Sequence, residues 1–245
     1  MTIRYEANPP KILPDVDTDE AIEKFIEKIK IISKKCDALH LTENVLGHQR
    51  VSPIEVGKII RKEIPNIPIT VSLRVRDKSE KEISEFVENC ISIGFSGILV
   101  LLGDPSQTEK PDSGQIPSAT VKRLKEQGID SKIDLYLSIS NKPNFSKIIK
   151  KLEANPKGFM TQVVQNIEQV QNLFDNLKGF SVIPIILFPS KKNEKSAKFL
   201  NLELASYSQE FEEFVKKVHE ITGDVLITSP SDFNGLNEFL EKSFS

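Results

Sequence analysis

Residues 97–107 read GILVLLGDPSQ. Five apolar residues, Ile98 to Leu102, run into Gly103, Asp104 and Pro105. A short continuous apolar run of this kind fits a strand buried on both faces, as in a parallel sheet. Gly, Asp and Pro then signal a turn. A carboxylate placed just past a core strand is either a turn former or a group presented to a ligand. This stretch alone leaves both readings open.

Similar runs recur along the chain. Strand candidates are 2–6 (TIRYE), 38–42 (ALHLT), 68–75 (PITVSLRV), 97–102, 133–139 (IDLYLSI), 158–164 (GFMTQVV), 180–187 (FSVIPIIL) and 224–229 (DVLITS). Helical periodicity fills the gaps. Residues 18–34 place apolar side chains at 22, 25, 26, 29 and 32, with Thr18 as the expected cap. Residues 52–64 start on Ser52 and Pro53. Residues 79–94 open on a capping box, Ser79 with Glu82, and stop at Gly94. Further helices are expected over 118–127, 144–154, 166–177, 208–222 and 231–242, with a short one near 193–202. Eight strands alternating with helices over 245 residues predict an α/β fold, a (β/α)8 TIM barrel forming one domain over 1–245. A doubly wound open sheet is the competing architecture. The longest unpatterned segment is 103–117, and loops of that length in a compact domain tend to be functional.

Composition narrows the function classes. The chain is 38% apolar and 28% charged with a net charge of -2, so no bulk charge draws it to nucleic acid or an anionic membrane. Cys36 and Cys90 fall in helical patterns and read as free thiols of a reducing compartment. His40, His48 and His219 form no metal-spaced cluster, so no metal site is expected. The N-terminal MTIRYEANPPK lacks a signal-peptide core, and no apolar run reaches the roughly 20 residues of a membrane helix. A soluble cytoplasmic protein is expected.

In a barrel the C-terminal strand ends share one rim, where sites are built. The sequence puts polar groups there: Glu6, Thr42 with Glu43 and Asn44, Arg74 and Arg76, Asp104, Ser138 and Ser140, Gln162, and Thr228 with Ser229. Gln162 sits inside an apolar strand, where an amide must find partners or cost stability.

Five segments, in order, resemble the methylenetetrahydrofolate reductase family: YEANPPK (5–11), LHLTENVLGHQR (39–50), VLLGDPSQ (100–107), FMTQVVQN (159–166) and ILFPSKKNEKSAKF (186–199). The family fold is also a (β/α)8 barrel. The resemblance implies an oxidoreductase of one-carbon metabolism. It would reduce 5,10-methylenetetrahydrofolate or a related pterin through FAD, with NADH or NADPH as donor. Glu6 would be the general acid that opens the five-membered ring. Asp104 would bind the pterin and bias the flavin, Gln162 would bind folate, and Phe199 would stack on it or on nicotinamide. Thr42, Ser72, Arg74, Leu102, Gly103 and Asp104 would line the cofactor.

The chain departs from the family pattern on the flavin side. Leu102 stands where the family has Arg, Ser72 where it has His, and Glu43-Asn44 where it has Tyr-Gly. IPSA (116–119) replaces Tyr-Ala-Ser-Asp, and LSIS (137–140) replaces a Pro/Glu-containing turn. Arg74 or Arg76 would then supply a phosphate contact. The alternative is a non-catalytic or regulatory paralogue that binds a pterin or a partner protein. A flavin-free reductase is a third possibility, and a homo-oligomer or partner subunit is compatible with all three.

Overall fold

The computed structural model describes residues 2–45, 48–105 and 111–244. Eight parallel strands close into a barrel in sequence order: β1 (Thr2–Ala7), β2 (Ala38–Leu41), β3 (Ile69–Arg74), β4 (Gly97–Leu101), β5 (Asp134–Ile139), β6 (Gly158–Val163), β7 (Ser181–Leu187) and β8 (Asp224–Thr228). Closure comes from β1 pairing with β8, Thr2 beside Asp224 and Tyr5 beside Ile227. The expected barrel is the observed one; the open sheet is not.

Helices connect the strands outside the barrel: α1 (Thr18–Ile32), α2 (Pro53–Glu63), α3 (Glu80–Ile93), α4 (Pro117–Glu126), α5 (Ile149–Glu153), α6 (Ile167–Asn176), α7 (Glu194–Phe199), α8 (Phe211–Thr222) and α9 (Phe233–Phe244). The capping box of α3 forms as expected, and Gly94 closes the helix in the left-handed conformation. Thr18 is not the cap of α1. Asp17 is, because its carboxylate accepts from the Asp19 and Glu20 amides. The helix expected over 144–154 is a 3-10 turn, Phe145–Lys147, followed by the short α5. Cys36 and Cys90 are free thiols. Among the described residues no helix is long and apolar enough to cross a membrane.

The main core lies between strands and helices. A second, smaller cluster fills the barrel: Leu99, Tyr136, Met160, Ile183 and Leu226, joined by Leu101 and Ile185. These residues come almost wholly from β4 to β7. Side chains alternate along a strand, so register carries the inward set round to the other strands. Arg4 lies beside Leu226, Glu6 beside His40, His40 beside Thr70, and Ser72 beside Leu99. The lumen is therefore apolar on the β4–β7 side and polar on the β8–β1–β2–β3 side. At the N-terminal end Arg4 grips Asp224 with bonds of 2.6–2.9 Å and neutralises it.

Tyr136 fits across the lumen because Gly97 faces it from β4. A Cβ at Gly97 would lie 2.8 Å from the Tyr136 ring and 3.2 Å from the Asp134 carbonyl. Gly97→Ala should lower unfolding stability by about 1–3 kcal/mol through overpacking, read as a lower urea midpoint with unchanged slope.

Candidate active site at the barrel mouth

Glu6 is the last inward side chain of β1. Its Oε1 accepts a 2.7 Å hydrogen bond from Thr228 of β8. Burial raises the Glu6 carboxyl above its ordinary value, while the Thr228 bond and the Arg50 charge pull it partly back. A carboxylic acid that keeps its proton toward neutral pH is what general-acid chemistry needs.

Beside it on β2, His40 is 1% exposed. Its Nδ1 lies 2.9 Å from Thr70 Oγ1 and its Nε2 lies 3.0 Å from Ser72 Oγ. Thr70 gives its hydroxyl proton to the Leu39 carbonyl, so it accepts from Nδ1–H. Nε2 then accepts from Ser72, and both bonds suit neutral imidazole. Burial and the Arg4 charge push His40 down to about 3. The sequence reading passed over His40; a His inside the apolar run ALHLT was its only signal.

The loops above are cross-tied. Thr42 donates to Asn8 at 2.8 Å. Arg74 is 1% exposed. Its Nη1 donates to the Asn44 carbonyl and its Nη2 to the Asp104 carbonyl, each at 2.7 Å, while Glu43 accepts the Arg74 amide. Arg76 donates to the Gly103 carbonyl and pairs with Asp112 at 2.7 Å. Ser113 returns to the Val75 and Arg76 carbonyls, so the far end of the 103–117 loop is tied to the end of β3. Residues 106–110 of that loop lie outside the described residues. Gly103 has φ +86, and a Cβ there would lie 2.7 Å from Arg74 Nε. The turn after β4 needs glycine because the guanidinium packs against it.

The expected site residues therefore divide. Glu6, Thr42, Ser72, Arg74, Gly103 and the Asp104 backbone gather on the β1–β4 side of the mouth. The Asp104 side chain is exposed, and Leu102 is 39% exposed. Gln162 is exposed at the end of β6, where the pairing with β7 shifts register between Met160 and Val163. The expectation of a buried amide needing partners is thereby corrected. Phe199 ends α7 at 66% exposure. Arg74 places Nη1 and Nη2 on the Asn44 and Asp104 carbonyls, and Arg76 places Nε and Nη1 on the Gly103 carbonyl and Asp112. With Thr42 committed to Asn8 and Ser72 to His40, these side chains do not fit a flavin diphosphate.

Cavities lie elsewhere. One of about 350 Å³ opens between the start of α6 and the segment leading into α8, lined by Gln165, Asn166, Ser206, Glu210, Glu213 and Lys217. Tyr207 also lines it, with its phenol pushed up by burial and donating to the Leu187 carbonyl at 3.0 Å. The raised Glu6 carboxyl lies at the barrel mouth instead.

Compared by sequence, the chain matches no family model and no curated protein. Compared by structure, it is similar to 2,3-dimethylmalate lyase of the PEP mutase/isocitrate lyase superfamily, with TM-score 0.56, 10% identity, and 98% of this chain and 78% of that one covered. It is also similar to the GH18 chitinase ChiB of Flavobacterium johnsoniae, with TM-score 0.58, 15% identity and coverage of 99% and 93%. A third likeness is to the tryptophan synthase a2b2 complex structure from Pyrococcus furiosus, with TM-score 0.55, 12% identity and coverage of 99% and 95%. At these identities the shared property is the fold. The chain is a (β/α)8 barrel, an architecture on which the named lyase, chitinase and synthase run different chemistries.

Two opposed pH effects follow from the mouth. His40 is depressed in the fold, so the unfolded chain binds its proton more readily; the His40 contribution is present above its unfolded value of about 6.5 and is lost as pH falls toward about 3, at up to about 1.4 kcal/mol per pH unit. Glu6 is raised, so its contribution is present below the ordinary carboxylate value and is lost as pH rises through its folded one. His40→Gln should flatten the acid limb of stability against pH, and Glu6→Gln the neutral limb, in urea titrations across pH. Separately, Arg74→Met should cost about 1–3 kcal/mol by removing the donors to the Asn44 and Asp104 carbonyls and should speed amide exchange at Gly103 and Asp104.

Proposed function

We propose that this barrel is a reductase of a one-carbon pterin, of the 5,10-methylenetetrahydrofolate type, with Glu6 as its general acid. The single observation that carries the reading is the half-buried carboxyl of Glu6 at the mouth, held toward its protonated form and hydrogen-bonded by Thr228. The resemblance of the 5–11 and 100–107 segments to the reductase family supports the same residue.

The chemistry balances simply. Glu6 gives its proton to the ring nitrogen as the bond from that nitrogen to the bridging carbon breaks. The resulting iminium carbon accepts a hydride, two electrons and a proton nucleus, and becomes the methyl group. Reduced nicotinamide, NADH or NADPH, is the donor in this reading. No step is routed through FAD, because the side chains expected to hold it are bonded to their own chain. The exposed Asp104 carboxylate would take the amino and ring N–H donors of the pterin, and Gln162 and Phe199 would meet its aminobenzoyl end. A non-catalytic pterin-binding paralogue is the second reading, favoured by that same closed corner after β3 and β4.

Single-turnover reduction of 5,10-methylenetetrahydrofolate by reduced nicotinamide tests the proposal. Glu6→Gln should slow it by roughly 10²–10⁴-fold, the scale of a lost general acid. Asp104→Asn should slow it by about ten-fold, a loss of about 1.4 kcal/mol of transition-state stabilisation, with the thermal midpoint unchanged. Absence of reduction in the parent protein, with pterin binding intact, selects the second reading. A stoichiometric flavin band in the purified protein's visible spectrum would restore FAD to the mechanism.

A further inference from the structure

The acid reading of Glu6 leaves open which carboxyl oxygen carries the proton and what holds the group still. Thr228 is 6% exposed and donates to Oε1 at 2.7 Å. Oε2 has no hydrogen-bond partner among the described residues, and the side chain is only partly buried. We propose that Thr228 is the positioning residue of this acid: its hydroxyl occupies Oε1, fixes the plane of the carboxyl and assigns the transferable proton to Oε2.

The platform beneath Thr228 supports that role. Its carbonyl accepts from the Phe188 amide at 2.9 Å, which anchors the end of β8 to β7. The next residue, Ser229, donates to the Asp232 carbonyl at 2.8 Å and accepts from Asn193 at 3.0 Å. Asn193, 0% exposed, also ties the Phe188 carbonyl and the Ser231 amide. A hydroxyl delivered from so constrained a strand end has one direction to point. A carboxyl held by such a donor reaches reacting geometry without a further ordering cost.

The groups facing Glu6 from the other elements do not duplicate the contact. His40, in register on β2, uses both ring nitrogens on Thr70 and Ser72. Arg50, from the loop after β2, gives Nη1 to the Pro9 carbonyl and reaches Glu6 only through its charge. Arg4 is bound to Asp224, and the Tyr5 ring lies against Phe233. Thr228 is the sole hydrogen-bond donor to Glu6 among the described residues.

This inference rests on the acid reading of Glu6, and its test reads the carboxyl directly. Infrared spectra of the full chain across pH follow the carbonyl stretch of the protonated acid, assigned to Glu6 by its loss in Glu6→Gln. In Thr228→Val the band should change frequency and persist to higher pH, because a donor to the ionised form is gone. Thr228→Ser should restore the parent spectrum, and Thr228→Ala serves if the Val variant does not fold. With pterin and reduced nicotinamide, Thr228→Val should lower kcat about ten-fold or more at unchanged KM, and Ser should recover it. An unchanged band and titration in both Val and Ala variants overturns the positioning role even if pterin is reduced. A shifted band without any pterin reduction keeps the positioning role and removes the reductase reading.

Discussion

Everything at the mouth depends on barrel closure, the pairing of β1 with β8. It brings Thr228 to Glu6 across 222 residues of sequence and Asp224 to Arg4 across 220. The two contacts lie at opposite ends of the same strand pair and do different work. At the N-terminal end, a bidentate ion pair neutralises two charges that would otherwise be costly inside the lumen. At the C-terminal end, one hydroxyl meets one carboxyl, and the surrounding burial favours the protonated form. A barrel that failed to close would leave both carboxylates in water, ionised and unremarkable.

The lumen is divided rather than uniformly packed. Leu99, Tyr136, Met160 and Ile183 fill the β4–β7 side as an ordinary apolar plug. The opposite side holds Arg4, Glu6, His40, Thr70, Ser72 and Thr228; burial favours neutral His40 and protonated Glu6, while the Thr228 bond pulls Glu6 partly back. Burial raises the Glu6 carboxyl against the opposing pull of the Thr228 bond and the Arg50 charge. Such a division costs packing on one side and gives a titratable group whose state is set by neighbours that do not themselves titrate near neutrality.

Arg74 shows how a residue type can mislead. An arginine at the end of a barrel strand reads as an anion ligand, and its chemistry would suit one. Here its donors meet the Asn44 and Asp104 carbonyls and lock the loops after β2 and β4 to each other. Asp104 answers to the same contact: its carbonyl is structural and its carboxylate stays free at the rim.

Local information carried the architecture. Apolar runs bounded by Gly, Pro and Asp located eight strands, and the Ser79–Glu82 box and Gly94 located both ends of α3, because these signals act between residues close in sequence. Thr18 was displaced by Asp17 for an equally local reason, two adjacent residues able to cap the same turn. Glu6 was legible as a candidate because a strand end leads into Pro9 and Pro10. Its protonation was not, since that depends on burial by other strands, on Thr228 and on the Arg50 charge. Gln162 read as a buried amide from its apolar neighbours but is exposed where β6 shifts register against β7, and Arg74 looked available until the loops it binds were in place. Residue type and spacing set which elements form; partners distant in sequence, from 30 residues for Arg74 to 222 for Glu6, set the charge and availability of the polar groups once the strands are side by side.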